Sequence, residues 1–352
     1  MSYLGVDNYL PIFKASGTNY EIGFAIGIQA KENIHAALNQ KLLQLGLRYF
    51  EVLKPKWLEK MNSFAYKFYP HYMEELKGLA KGAEVSLEDI LKLNWLASME
   101  LESCSTLVLK SKDEIKLVHN EDMIQDTAKY SYICDIKTQT GTTIVAFCYP
   151  GSLPGGAFGF NSNGIVFSGN DVPHPEQKPG LPRILNDRAL CEANSINNAL
   201  SIILKEDRNA GFSHNIVSQK EFRAINVEYT SNRSSVKEIE QKFFHTNHYI
   251  SPTFKDVHIP TLEENSTTKI RYMRGIELLE NVQFNESFAL NLISDEQIFR
   301  ESTKANLPNI GEITAGTLCT AYFKITENDF EMKVFPPKRE KKEGIHFFKL
   351  KR

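Results

Sequence analysis

A single cysteine lies at the start of a segment that alternates like a β-strand. Cys104 opens the run at residues 104–109, and the polar run at 119–122 follows it at a short distance. A further polar run, 245–248, lies far downstream. A thiol with Asn and Asp side chains near it supplies a nucleophile, groups that orient it and a donor for a developing oxyanion. The alternative for any single cysteine is a buried core residue, but the surrounding pattern favours the nucleophile.

The sequence gives less support to two other kinds of site, a zinc site and a papain-type catalytic pair. His245 and His248 are three residues apart, as zinc ligands can be, but no further ligands with suitable spacing accompany them, so we predict no metal site. A papain-type pair of Cys104 and His245 is a second alternative. The sequence around Cys104 lacks the papain-type signature and does not place the cysteine at a helix start.

Length, composition and charge are those of an ordinary globular chain. The 352 residues fit one large domain or two smaller ones, and 42% of them are hydrophobic and 24% charged. A net charge of −2 gives no general attraction for nucleic acid or for an anionic membrane. We therefore expect neither as a partner, and the sequence leaves the oligomeric state open.

The termini and the cysteines indicate a cytoplasmic protein. The N-terminal residues lack the basic and apolar regions of a secretory signal. The five cysteines form an odd set without close pairs, which argues against a disulfide framework and against a cysteine-based zinc site. The basic stretch at 338–342 contains a glutamate, and we expect a solvated terminus there rather than a nucleic-acid-binding arm.

Helical patterns dominate the first third of the chain. Thr18 and Glu21 form a capping-box signature, and apolar residues at helical spacing follow as far as about Leu53, before Pro55 stops the pattern. The same spacing predicts a second helix over about 57–78. A third helix is predicted from a cap at Ser86 to near residue 99.

Strand patterns begin at Cys104. β-Branched and aromatic residues alternate with polar ones over 105–109, 115–119, 130–136 and 142–147. Asn163-Gly164 predicts a tight hairpin, and an amphipathic pattern predicts one helix over 183–205. Later patterns predict strands at 215–218, 223–229, 317–325 and 331–334 and helices at 268–279 and 286–292. Helical blocks that alternate with antiparallel hairpins indicate two sheets between helical layers.

Short motifs in a consistent order extend along nearly the whole chain, at residues 17–23, 74–83, 103–106, 120–122, 159–164 and 245–248. Together they resemble the acyl-coenzyme A:6-aminopenicillanic acid acyltransferase family, which is also called isopenicillin N acyltransferase-like or peptidase C45-type. Its members are N-terminal nucleophile hydrolases that cleave themselves immediately before a cysteine. The resemblance implies an α+β fold, the four-layer αββα sandwich of these hydrolases.

The resemblance also implies that the chain cleaves itself between Ser103 and Cys104. The products are then an N-terminal helical segment, residues 1–103, and a second chain, residues 104–352, which carries the sheets and the catalytic residues. Together they form one integrated domain. Cleavage gives Cys104 a free α-amino group, which titrates near about 7.7 to 8.0 and so can accept the thiol proton near neutral pH.

Four further residues match functional positions of families that the chain resembles, and a fifth, Asn170, is a candidate because of its place at the end of the hairpin strand 165–169. Asp122, supported by Asn120, would hold the new ammonium group; the alternative is a simple Asn/Asp turn. Asn247 matches the asparagine that donates to the oxyanion, and a turn or strand-end residue is its alternative. Asn170 is the candidate for a backbone N–H in the same oxyanion hole. Arg271 resembles an arginine that supports the nucleophile in the related choloylglycine hydrolases, although an exposed helix arginine fits the sequence equally well.

Three departures from the family pattern leave the substrate open. Ser103 occupies the position before the cleaved bond, where the family commonly has Gly. Glu121 and Met123 occupy positions that usually carry aromatic residues. A late arginine of some members has no counterpart at residues 308–312.

These observations predict a self-processing amidohydrolase or acyltransferase that acts on a small N-acyl amide through an acyl-Cys104 thioester. Water as acceptor makes it a hydrolase, and an amine or the thiol of coenzyme A makes it a transferase. No cofactor is expected, with acyl-coenzyme A open as a co-substrate. The alternative is an unprocessed, non-catalytic relative that binds a small molecule, and self-cleavage distinguishes the two.

Overall fold

In a computed structural model, the chain forms two β-sheets that pack face to face between layers of helices. The structure describes residues 2–3, 10–40, 43–44, 46–48, 55–96, 104–125, 130–173, 176–257, 266–307, 311–338 and 346–351. The four-layer α+β sandwich predicted from the sequence is confirmed. Within these ranges, every helix is too short or too polar to cross a membrane.

The helices cover the two outer faces of the sandwich. In chain order they are α1 (Asn19–Gln29), α2 (Lys31–Leu38), α3 (Pro55–Phe68), α4 (Pro70–Ala83), α5 (Leu87–Leu96), α6 (Arg183–Leu190), α7 (Ile196–Ile203), α8 (Thr267–Leu279) and α9 (Glu286–Ile293).

Sheet A is the sheet that contains the strand next to Cys104. Its neighbouring strands are, in spatial order, β1 (Ser2–Tyr3), β16 (His346–Lys351), β15 (Asp329–Phe335), β14 (Gly311–Ile325), β4 (Ile115–Ile124), β3 (Ser105–Lys110) and β12 (Lys242–His245). The strand β13 (Thr303–Leu307) also pairs with β14.

Sheet B packs against the inner face of sheet A. Its strands are, in spatial order, β11 (Ser234–Glu238), β10 (Arg223–Tyr229), β9 (Phe212–Ser218), β8 (Ile165–Asn170), β7 (Phe158–Asn161), β6 (Thr143–Cys148), β5 (Tyr132–Thr138) and β2 (Ile12–Gly17). Among the paired strands of both sheets, only β2 and β5 run parallel.

Alternation along β3 sorts its side chains between two hydrophobic cores. Val108 belongs to the core between the sheets, whereas Leu107 and Leu109 belong to the outer core under α8 and α9. A third core lies between sheet B and helices α1 to α7. Because side chains alternate with period two, Cys104 and Thr106 share the inner face with Val108.

Several helices are shorter than the sequence predicts. The capping box at Thr18 is confirmed, because Thr18 and Glu21 exchange both hydrogen bonds. The single helix predicted beyond it is wrong, since α1 ends at Gln29 and α2 is a separate helix. The helix predicted over 57–78 is divided at Tyr69. Pro70 lacks an amide hydrogen and disfavours helical backbone at the residue before it, so a new helix starts there.

The helix predicted over 183–205 is also two helices. Every residue of α6 is buried, so α6 has no solvent face. Ser195 ends the connection by accepting a hydrogen bond from the backbone N–H of Asn198, and this cap starts α7.

One strand prediction is corrected as well. The strand predicted to end at His119 continues to Ile124, because β14 pairs with it over its whole length. Of the basic stretch that we expected to be solvated, residues 339–342 lie outside the described residues, and residues 346–351 beyond it form the strand β16 between β15 and β1. The hairpin at Asn163-Gly164 is confirmed, and Gly164 there has a φ of 90°, which favours glycine.

Candidate active site

Cys104 lies immediately before β3, beside β4. The register of these strands pairs Ser105 with Asn120, and one further step places Glu121 opposite Cys104. Residues directly opposite in an antiparallel pair point to the same face. The Cys104 Sγ accordingly donates a hydrogen bond to Glu121 Oε2 at 3.4 Å, and both side chains are fully buried.

Asn247 lies on the other side of the cysteine, after β12. That strand pairs His245 with Thr106, so two further residues bring Asn247 opposite Cys104. Asn247 Oδ1 accepts a hydrogen bond from the backbone N–H of Cys104 at 2.8 Å. Arg271 of α8 donates to the same oxygen at 2.8 Å and to the Cys104 carbonyl oxygen at 2.7 Å. The alternative of an exposed Arg271 is wrong, because only 2% of its surface is accessible.

Three groups surround the carboxyl group of Glu121. Its Oε2 lies 2.8 Å from His119 Nε2 in addition to its contact with the thiol, and its Oε1 accepts a hydrogen bond from the Tyr149 hydroxyl. Burial raises the pKa of Glu121 to about 7, and burial lowers the pKa of His119 to about 3. His119 is therefore neutral at physiological pH, and Glu121 is poised to gain or lose a proton near neutrality.

Asp122 lies within β4, so the alternative of a simple Asn/Asp turn is wrong. Because it follows Glu121 in the strand, its side chain lies on the opposite face. Its Oδ1 accepts a hydrogen bond from Thr317 Oγ1 at 2.6 Å, and its Oδ2 is buried without a hydrogen-bond partner among the described residues. Burial raises the pKa of Asp122 to about 6, although the positive charges of Arg271 and Arg300 oppose that shift.

Asn120 ties β4 to its neighbours on the helix side of sheet A. Its Nδ2 donates to the carbonyl oxygen of Ile293 at 2.8 Å, and its Oδ1 accepts from Thr320 Oγ1 at 2.6 Å. These bonds fix β4 against α9 and β14. Any support that Asn120 gives the nucleophile therefore acts through the position of the strand.

Asn170 lies at the end of β8, in sheet B, and faces the inner side of β3. Its Oδ1 accepts from Thr106 Oγ1 at 2.8 Å and from Asn215 Nδ2 at 3.1 Å. Its own Nδ2 is buried and makes no hydrogen bond with the described residues. The structure thus brings Asn170 to the residue two positions after Cys104. Ser103, the other side of the predicted cleavage site, lies outside the described residues.

A family model matches a long region of the chain that begins shortly after Cys104. The family model described as acyl-coenzyme A:6-aminopenicillanic acid acyl-transferase matches residues 109–338, which is more than half of the chain. The chain belongs to this family.

Two curated relatives match over part of their length. The β-alanyl-dopamine/carcinine hydrolase of Drosophila melanogaster is 28% identical over 221 residues, which are 55% of this chain and 57% of that protein. The acyl-coenzyme A:6-aminopenicillanic-acid-acyltransferase 40 kDa form of Emericella nidulans is 26% identical over 246 residues, or 66% of this chain and 67% of that protein. The chain thus spans somewhat more than half of the length of the Drosophila relative.

A solved structure is also similar in part. The Caenorhabditis elegans ortholog of N-acylethanolamine-hydrolyzing acid amidase is 10% identical, with a TM-score of 0.43, and the match covers 62% of this chain and 92% of that one.

One set of side chains in this family member contains the donor types that a metal ion accepts. Ligand atoms of Cys104, His119 and Glu121 all lie within 4.8 Å of one another. Thiolate, imidazole and carboxylate are suitable for zinc. The direct hydrogen bonds between Glu121 and the other two side chains account for this closeness without an ion. The pair His245 and His248 forms no such group, and His245 Nε2 contacts Glu228 at 3.0 Å instead.

Sequence reasoning missed three residues of the site: His119, Glu121 and Tyr149. The first two follow from the alternation of β4, continued past the residue at which the predicted strand stopped. Tyr149 follows β6 in sheet B, and no signal in the sequence connects it with Cys104. Arg300 was also passed over, although its charge acts on Asp122.

Proposed function

We propose that the chain is a self-processing N-terminal nucleophile enzyme in which Cys104 attacks the carbonyl carbon of a small N-acyl amide. One observation supports this most strongly: Asn247 and Arg271 converge on the backbone of Cys104 from different elements, with contacts at its N–H and its carbonyl oxygen. Both residues had been singled out as functional from sequence resemblance alone.

The proposed reaction begins after cleavage before Cys104. The free α-amine takes the thiol proton, the thiolate attacks the substrate carbonyl, and negative charge develops on its oxygen. The Asn247 amide has two N–H donors, one of which binds the carbonyl oxygen of Asp171 at 2.8 Å. The second serves the oxyanion, with the backbone N–H of Asn170 as a further donor. The amine proton then passes to the leaving amine, and a thioester on Cys104 results.

The acceptor decides between hydrolase and transferase. Water releases a carboxylic acid from the thioester, whereas an amine or the thiol of coenzyme A gives a transferred acyl group. The names of the relatives support both, because one is a β-alanyl-amine hydrolase and the other is an acyltransferase. We propose N-acyl amines, including β-alanyl amides, as the first substrate class, and a reducing cytoplasm as the compartment that keeps the thiol free.

Intact mass spectrometry under denaturing conditions tests self-processing directly. We expect two species, residues 1–103 and 104–352, for the wild type and only the full-length chain for Cys104→Ala. Persistent full-length wild type would support the non-catalytic alternative. A cleaved Cys104→Ala protein would assign the cut to an external protease.

A substrate panel tests the reaction. The mature protein is offered β-alanyl amines and other N-acyl amines, with and without coenzyme A, and is quenched in acid during turnover. We expect release of the amine and an acyl adduct on the 104–352 fragment. Amine release without any adduct, in a protein whose Cys104 is intact, would contradict the thioester mechanism.

A further inference from the structure

Self-cleavage requires a base that the mature mechanism does not provide. Before cleavage, the nitrogen of Cys104 belongs to a peptide bond, and its lone pair is delocalised into the carbonyl group. It therefore cannot accept the thiol proton. In the structure this N–H donates to Asn247 Oδ1, as an amide hydrogen does. Another group must deprotonate Sγ in the uncleaved chain.

The carboxyl group of Glu121 is placed to be that base. It contacts Sγ of Cys104 directly, at 3.4 Å, inside a site from which solvent is excluded. Asp122 lies on the other face of β4 and is hydrogen-bonded to Thr317. The neutral imidazole of His119 reaches the carboxyl group of Glu121 through its Nε2, and its Nδ1 is engaged by Thr106 at 2.8 Å.

The hydrogen-bond chain behind Glu121 accommodates both of its protonation states. Thr106 has one hydroxyl hydrogen, and its Oγ1 contacts both His119 Nδ1 and Asn170 Oδ1 at 2.8 Å. If Thr106 donates to Asn170, then His119 donates from Nδ1 and accepts at Nε2, which requires a proton on Glu121. If Thr106 turns to donate to Nδ1, His119 carries its proton on Nε2 and donates to an ionised Glu121. The two states differ by the proton on Glu121, and one hydroxyl rotation and one tautomer change accompany its loss or gain.

We propose that Glu121 is the acid–base catalyst of self-cleavage, acting on Cys104 before the α-amine exists. This inference rests on the proposed function, because it concerns the processing of the same cysteine. Ionised Glu121 removes the proton from Sγ, and the thiolate attacks the carbonyl carbon of Ser103. As the C–N bond breaks, Glu121 returns the proton to the nitrogen of Cys104. A thioester between Ser103 and Cys104 and a free amine result, and water then hydrolyses the thioester to a carboxylate and the thiol.

Cleavage kinetics of the full chain test this role. The chain is pulse-labelled in a cell-free translation, moved into buffers from about pH 5.5 to 8.5, and followed on denaturing gels. Glu121→Gln has nearly the same shape but cannot take the proton, so we expect cleavage to slow by roughly 10²- to 10⁴-fold. Glu114→Gln is the matched control, because Glu114 precedes β4 at the other end of the same hairpin, paired with Lys116. It should cleave like the wild type.

Two further readouts separate catalysis from structural support. Wild-type cleavage should accelerate as Glu121 ionises and then level off, whereas the residual rate of Glu121→Gln should keep rising with hydroxide. Cys104, Tyr149 and Arg183 act on Glu121, His119 contacts its carboxyl group, and the charge of Glu121 acts in turn on Asp122, so these groups set the profile. Added formate should accelerate cleavage of Glu121→Ala, because it restores a carboxylate in the space left behind.

The results of these cleavage experiments decide separately on the role of Glu121 and on the proposed function. If the wild type cleaves and Glu121→Gln cleaves at a similar rate, Glu121 is not the base and the proposed function stands. If Glu121→Gln is slow but its rate keeps the pH profile of the wild type, and formate has no effect on Glu121→Ala, the role of Glu121 is structural. If the wild type itself never cleaves, both proposals fail.

Discussion

The side-chain amide of Asn247 makes three hydrogen bonds, and together they need both an acceptor oxygen and a donor nitrogen. Its oxygen accepts from the N–H of Cys104 and from Arg271, and its nitrogen donates to the carbonyl oxygen of Asp171. Truncation to alanine removes the hydrogen bond that holds Cys104 together with the proposed oxyanion donor. A kinetic defect of Asn247→Ala would therefore not separate the two roles, and a sharper substitution is needed.

Asn247→Asp retains the oxygen and removes the donor. We expect kcat of the processed variant to fall by roughly 10²- to 10³-fold with little change in KM, because the lost bond forms mainly in the transition state. Steady-state kinetics on a cleaved N-acyl amide provide the measurement. Processing should survive better in Asn247→Asp than in Asn247→Ala, because the oxygen still holds Cys104. A near-normal kcat in stably folded Asn247→Asp would mean that Asn247 does not stabilise the oxyanion.

Asp122 should make the folded protein less stable as the pH rises through the acid range. Below about pH 4, Asp122 is protonated in both the folded and the unfolded state. Burial raises its pKa from an ordinary 3.8 to about 6, so between these values only the folded chain keeps the proton. Because the folded state then binds more protons, its free energy of unfolding falls with rising pH until about pH 6 and levels off there.

Urea unfolding of Asp122→Asn tests that sign. Both proteins carry Cys104→Ala, so that each remains one chain. The free energy of unfolding of Asp122→Asn minus that of its parent should rise by on the order of 3 kcal/mol from about pH 4 to pH 7. The neighbouring His119 and Glu121 are present in both proteins, and their contributions largely cancel. A difference that stays constant with pH would mean that the carboxyl group titrates normally.

The sequence predicted the residues that touch the backbone of Cys104 better than those that touch its thiol. Asn247 and Arg271 were found because they match family positions. Glu121 was set aside as a departure from the family pattern, since an isolated sequence does not show which side chain the inner face of β4 brings to Sγ. The register of two strands decides that contact, and it is a property of the whole sheet.

At the scale of elements, the type of each segment was predicted more reliably than its limits. Pro70 was available in the sequence, yet the apolar spacing continues through it and suggested one helix. In β4, Asn120 and Asp122 also fit a turn, because Asn and Asp side chains favour one. Pairing with β14 overrides that preference, as tertiary contacts often do. A polar side chain is tolerated in a buried strand where neighbouring strands supply hydrogen-bond partners for it.

The crossing of α1 and α4 depends on glycines that allow the backbones to touch. A Cβ atom on Gly78 would lie 2.1 Å from the carbonyl oxygen of Tyr20, a backbone atom that cannot turn away. We therefore expect Gly78→Ala to lower the free energy of unfolding by about 1 to 3 kcal/mol, although alanine favours helices more than glycine does. Urea titration measures the change.

Gly46→Ala is the control for this prediction. A Cβ atom there would lie 3.1 Å from the end of the Leu96 side chain, which has freedom to move. Gly46 lies in a short helical run, residues 46–48, so the change should be neutral or slightly stabilising through helix propensity. Equal effects at Gly46 and Gly78 would mean that the close approach of α1 and α4 contributes nothing specific.

At the scale of the whole molecule, the proposed cut would pass through a structure whose two parts share their sheets. The segment before residue 104 supplies β2, which pairs with β5 at the edge of sheet B, and β1, which pairs with β16 in sheet A. Its helices also cover sheet B, where buried side chains such as Leu76 and Trp95 join one core with Tyr132 and Phe167. Separation would expose that whole face to water.

We therefore expect the fragments 1–103 and 104–352 to stay together after cleavage. Gel filtration of the mature protein under native conditions should give one peak that contains both fragments in equal amounts, at the elution volume of uncleaved Cys104→Ala. In denaturant the fragments should separate, and their release should coincide with loss of the tertiary signal, because the shared core and sheets hold them together. Release at a much lower denaturant concentration would show that the N-terminal segment is an independent unit. The proposal of a single integrated domain would then be wrong, whatever the chemistry at Cys104.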